Sequence, residues 1–117
     1  MRIENADERD SGWEDSRPRY RVYFFRGGGD RPGRSWDVLV KDVLDAEVLG
    51  VVAWAEGEIA DEGLFAVALV NQSASGERGL TWLVGMDAND DPANEVERSL
   101  RSAMESRRGR RTVRPVS

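Results

Sequence analysis

Residues 64–70 (LFAVALV) form an unbroken apolar run between Glu62-Gly63 and the polar stretch 71–79 (NQSASGERG). A run of that length, bounded by turn residues, reads as a strand covered on both faces. Such a strand requires a layer of structure on each side of its sheet, and this requirement constrains the rest of the chain. The run is far below the roughly 18 apolar residues that a membrane span needs.

The flanking segments supply the partners. Tyr20–Arg26 (YRVYFFR) is aromatic and β-branched, with Tyr20, Val22 and Phe24 predicted on one face and Tyr23 and Phe25 on the other. Residues 27–33 hold four glycines and a proline and read as a turn. Residues 36–41 (WDVLVK) fit two periods. Trp36, Val38 and Val40 alternate as in a strand, while Trp36, Leu39, Val40 and Val43 match helical spacing; β-branched content and the preceding turn favour the second arm of a hairpin. Residues 80–86 (LTWLVGM) read as the partner of the apolar strand across a hairpin loop.

Two helices complete the pattern. Over residues 45–60, Leu44, Val48, Val51, Val52, Ala55 and Ile59 form a stripe at spacings of three and four, with Asp42 or Asp45 as the expected cap. Gly50 and Gly57 interrupt it at about 1 kcal/mol each, and Gly50 is expected to allow close packing on the sheet. Asp91-Pro92 predicts the start of a second helix, with Val96, Leu100 and Ala103 or Met104 as its stripe and Glu97 four residues before Arg101.

The expected fold is α+β, a single sheet in ββαββ order followed by a C-terminal helix. Its limits are a flexible acidic arm over 1–18, one domain over 19–106 and a disordered basic tail over 107–117. The first helix covers one sheet face. The other carries Tyr23, Phe25, Ala66, Ala68 and Leu83, and either the terminal helix or a second copy of the chain covers it.

Residues 19–24 (RYRVYF), Asp45-Ala46-Glu47-Val48 with residues 51–56 (VVAWAE), and residues 79–87 (GLTWLVGMD) together resemble a group of small, uncharacterised actinobacterial proteins. These share a RYRVYF-like first strand, a DADV…VLAWAE-like helix and a GL(V/T)xLxGxD-like last strand. The likeness covers residues 20–87 and excludes both ends of the chain. It implies the ββαββ order. The group has no established activity, so it implies no functional residues. The acidic α+β build is also similar to toxin-immunity proteins, which neutralise basic nucleases by charge complementarity.

Charge and composition narrow the chemistry. The 117 residues contain neither cysteine nor histidine, which removes disulfides, thiolate and imidazole metal ligands, and Cys- or His-dependent catalysis. The formal net charge of −5 divides unevenly. Residues 98–117 hold seven arginines and Glu105, a balance of +6, which leaves −11 on residues 1–97. Residues 28–35 (GGDRPGRS) match a phosphate loop except that Arg34 replaces lysine, Pro32 removes a donor and a strand follows, so they read as a hairpin turn. Residues 87–91 (DANDD) open like a calcium loop, but Pro92 and Arg98 stand where glycine and a bidentate acid belong, so they read as a capping loop. No cofactor is expected.

Two binding surfaces follow. The acidic body, with Trp54, Glu56 and Glu58 on the first helix, suits an unidentified and basic protein partner. This gives a non-enzymatic, cytoplasmic interaction or regulatory module, immunity- or inhibitor-like, with homodimerisation open and no membrane contact. The alternative is a nucleic-acid-associated accessory protein that contacts phosphates through Arg107, Arg108, Arg110, Arg111 and Arg114. No aromatic residue interleaves with those arginines, so base stacking is absent from that reading.

Overall fold

The computed structural model describes residues 1–6, 18–28, 35–72 and 76–108. The elements run β1 (Tyr20–Arg26), β2 (Asp37–Val43), α1 (Val48–Ile59), β3 (Gly63–Gln72), β4 (Arg78–Val84) and α2 (Glu95–Arg107). The strands form one antiparallel sheet in the order β2-β1-β3-β4. The fold is α+β, as expected. The two-faced apolar strand β3 sits inside the sheet, where its composition requires it to be.

Alternation along β1 sorts the core. Tyr20, Val22 and Phe24 face α1 and pack with Val51, Val52, Ala55 and Ile59 of the helix and Phe65 and Val67 of β3. Phe25 faces the other way and packs with Leu64, Ala66, Met86, Ala88 and Met104. Each side chain of this size, fully buried, contributes about 1.5–3 kcal/mol. The second face is therefore covered by the chain's own terminal helix, through Met104 and the half-buried Leu100. Trp36 and Trp82 pack against that same cluster, and the Tyr23 and Trp82 rings lie 5.0 Å apart.

Several local expectations shift. Strand β4 bulges where Val67 pairs with Val84 but Ala68 pairs with Trp82, which leaves Leu83 as the extra residue. The bulge sends Val84 to the α1 face and Trp82 to the α2 face. Leu83 is left 43% exposed, so Trp82 takes the place on the second face expected of Leu83. Helix α1 starts at Val48, and neither expected cap serves it: Asp42 lies within β2, bound to Arg19 and Arg21, and Asp45 takes a φ of 55°.

Helix α2 starts at Glu95, beyond Asp91-Pro92. Asn94 Oδ1 accepts from the Glu97 backbone N–H at 2.9 Å and Asn94 Nδ2 donates to Glu97 Oε2 at 3.1 Å, so asparagine caps the helix. Val96 is 70% exposed and leaves the stripe to Leu100 and Met104. Arg101 lies 3.8 Å from Glu105, one turn ahead, and also donates to the Asp90 carbonyl.

Candidate interaction surface

Helix α1 buries Val51, Val52, Ala55, Glu56 and Ile59. Its opposite side presents Leu49, Gly50, Ala53, Trp54, Gly57 and Glu58. A surface helix normally carries charge on that side, and here only Glu58 does. Leu49 is 63% exposed and Trp54 39%. A Cβ added at Gly50 or Gly57 would meet nothing within 4 Å, so neither glycine serves packing on the sheet, contrary to the expectation for Gly50. Leu44 and Val48, which lead into the buried stripe, are also exposed at the helix start.

The indole of Trp54 is anchored on one side. It meets Phe24 edge-on, with centroids 5.5 Å apart and planes at 73°. Carboxylates stand before the helix and along it. Asp45, Glu47 and Glu58 are exposed and have no ion-pair partner among the described residues. Glu62 is neutralised by Arg26 at 3.2 Å, and that same guanidinium donates to the Glu58 carbonyl and lies over the Phe24 ring.

Of the three side chains expected to act together, the structure brings two together. Trp54 and Glu58 lie one turn apart on the outer face, while Glu56 sits half a turn away and is buried. Glu56 lines a depression with Arg107 and Arg108 at the end of α1. Sequence reasoning missed Leu49, although position 49 lies off the buried stripe and was legible as an outward leucine.

The basic residues are divided in a similar way. Arg107 closes α2, half-buried, and Arg108 Nε donates to the Asp61 carbonyl at 3.0 Å. Arg108 is thus engaged with the fold's own acidic turn. Arg110, Arg111 and Arg114 lie outside the described residues.

The remaining motifs settle as local structure. Residues 29–34 of the phosphate-loop-like stretch lie outside the described residues, and β2 follows them at Asp37, so a strand stands where a phosphate site needs a helix N-terminus. In the DANDD segment, Asp87 Oδ1 accepts from the Asn89 backbone N–H at 2.9 Å. Asn89 Oδ1 in turn accepts from the Trp36 backbone N–H at 2.7 Å, and its Nδ2 donates to the Trp36 carbonyl at 3.1 Å. The loop is a clamp on the entry to β2. A cavity of about 320 Å³ is lined by Trp36, Leu64, Arg101, Glu105 and Arg108, a set with two guanidiniums and one carboxylate. Among the described residues, no group of three or more His, Cys, Asp or Glu side chains is placed to hold a metal ion.

Among the described residues, the clearest electrostatic perturbation is structural. Asp42 lies 2.8 Å from Arg21 and 2.9 Å from Arg19. The hydrogen bond from Arg21, aided by Arg19 and opposed by partial burial, holds its carboxyl down at about 2. This fork ties β2 to β1.

Comparison with protein-family models, with curated proteins and with solved structures finds no match to the chain. No helix among the described residues is long and apolar enough to cross a membrane.

Proposed function

We propose that the chain is a protein-interaction module without catalytic activity, and that the outer face of α1 takes a basic protein partner. One observation carries this reading. Leu49 and Trp54 occupy helix positions that face solvent, with the half-buried Ala53 between them, and the carboxylates before and along the helix, Asp45, Glu47 and Glu58, have no ion-pair partner among the described residues. An exposed aromatic anchor with a charged rim is the usual composition of an interface hot spot. The bare glycines at 50 and 57 let a partner approach the helix backbone, which offsets their cost of about 1 kcal/mol each in helix stability. The rim carboxylates attract lysine or arginine and speed encounter at low salt. An immunity- or inhibitor-like role, with a basic toxin or enzyme as target, is the form of this function that the acidic surface favours.

The test is a comparative capture. Immobilised full-length chain, Leu49→Asp and Trp54→Ala are exposed to native lysate at about 50 mM and about 500 mM salt. The wild-type chain is expected to retain one stoichiometric basic protein at the lower salt. Trp54→Ala weakens retention by roughly 30-fold, the equivalent of about 2 kcal/mol for an aromatic anchor. Retention of the same protein by all three chains contradicts the assignment of the surface.

A further inference from the structure

We propose that two copies of the chain join edge to edge through β2, in a two-fold antiparallel register centred on Leu39, to make one continuous eight-stranded sheet. The proposal is independent of the partner assigned to α1.

Strand β2 is an outer strand of the sheet, so one row of its main-chain N–H and C=O groups faces away from β1. Natural edge strands are usually blunted by proline, a bulge or short length. Strand β2 has none of these, and its only blunting device is charge, at Asp37, Lys41 and Asp42. It pairs with β1 without a break from Tyr20↔Val43 to Arg26↔Asp37. At its centre, Val38, Leu39 and Val40 are 45%, 47% and 44% exposed. The opposite edge differs: β4 carries the bulge at Leu83 and opens with Arg78-Gly79.

The charges select both the partner and the register. Asp42 is already neutralised by Arg19 and Arg21. Asp37 and Lys41 remain, four residues apart on one face, with no ion-pair partner among the described residues. When a strand pairs antiparallel with its own copy about a two-fold axis, one residue lies opposite itself and the others pair symmetrically around it. With Leu39 on the axis, Asp37 meets Lys41 twice and Val38 meets Val40 twice. Moving the axis to Val38 sets Asp37 against Leu39. Moving it to Val40 sets Leu39 against Lys41 and Val38 against Asp42. Of the three, only the Leu39 register joins opposite charges and like apolar side chains, at every pair from 37 to 41.

The geometry around the axis is consistent. A two-fold perpendicular to the sheet keeps both α1 helices on one face and both α2 helices on the other. Leu39 lies in register with Phe24, which Trp54 contacts, so the two Trp54 rings flank the axis on the α1 face. The outer faces of the two α1 helices stay open side by side. The edge pair spans five residues, 37–41, and buries less than a standard interface, so the association is expected in the micromolar range.

The absence of cysteine makes the register directly testable. In the Leu39→Cys chain the only thiols lie opposite each other, with Cα atoms about 4.5–5.5 Å apart, within disulfide reach. In Lys41→Cys they are separated by four residues of strand, about 13 Å, and cannot bridge. Mild oxidation at about 100 µM is expected to give covalent dimer for Leu39→Cys and at least tenfold less for Lys41→Cys. Sedimentation velocity supplies a second readout. The wild-type chain is expected to dimerise with rising concentration, Lys41→Asp and Asp37→Lys to weaken the dimer at least tenfold, and the double exchange D37K/K41D to restore it. Far-UV circular dichroism confirms that these exposed-strand variants are folded. A wild-type chain that stays monomeric at about 500 µM, or equal cross-linking at positions 39 and 41, overturns the proposal.

Discussion

Replacing Met104 by alanine should release α2 from the sheet while leaving α1 in place. Met104 is the one residue of α2 that is buried outright, at 2% exposure, and it packs in a single cluster with Phe25, Leu64, Ala66, Met86 and Ala88. Leu100 contributes only a half-buried side chain, and Val96 none. Truncation removes three heavy atoms from the centre of that cluster. It also removes the sulfur that the Met86 backbone N–H approaches at 3.4 Å. Core truncations of this size cost about 2–5 kcal/mol, and about 3 kcal/mol is expected here because the helix can settle partway into the cavity. For a domain of this length that is a fall of roughly 15 °C in Tm. Hydrogen exchange read by mass spectrometry should show α2 amides losing protection well before those of α1, because the two helices share no core cluster. Met104→Leu, which conserves volume, should cost under about 1.5 kcal/mol. A Tm within about 4 °C of wild type for Met104→Ala, with α2 protection unchanged, would refute the claim that this side chain holds the second layer.

Two further predictions follow from the sheet. Because Asp42 is held at about 2 against an ordinary 3.8, its ion pairs stabilise the fold above about pH 4, and this contribution fades as pH falls towards 2. The full difference corresponds to about 2.4 kcal/mol, and solvent screening at a strand edge reduces it to about 1 kcal/mol. Asp42→Asn should therefore unfold at lower urea than wild type at pH 7 and match it near pH 2; a gap that does not narrow in acid contradicts the pairing. At Gly63, a Cβ would overlap the Phe25 carbonyl oxygen, so Gly63→Ala must push β1 and β3 apart. A loss of about 3 kcal/mol in urea titration is expected, and an unchanged midpoint would show that the strands do not approach so closely.

The elements were legible where hydrophobic periodicity was unambiguous. The β1 alternation sorted Tyr20, Val22 and Phe24 from Phe25, and the 64–70 run found its two-faced strand. Helix starts were less legible, because several side chains compete for one capping role. Asp42 and Asp45 both precede α1, yet one is drawn into a fork with two arginines from β1 and its neighbour, a contact 21 residues away in sequence. Asp91-Pro92 is a good local start, but the asparagine clamp on Trp36 holds the preceding loop and defers the helix to Asn94. The bulge in β4 depends on two-against-one pairing across strands, so no local pattern placed Trp82 rather than Leu83 on the second face. On the candidate surface, Trp54 and Glu58 were legible by helical spacing. Glu56 was misplaced because a carboxylate was expected to face water, whereas it is buried at 4% exposure beside Arg107 and Arg108.

The most direct test of α1 as the binding face is site-specific photo-cross-linking in living cells. A benzophenone amino acid is placed at Leu49, on the outer face of α1, and in a separate chain at Thr81, which is exposed on β4. One dominant adduct is expected from position 49, containing a basic protein and lost when Trp54 is also changed to alanine, and no such adduct from position 81. Equal adducts from both positions, or none from position 49 while the chain is folded and abundant, would contradict α1 as the binding face.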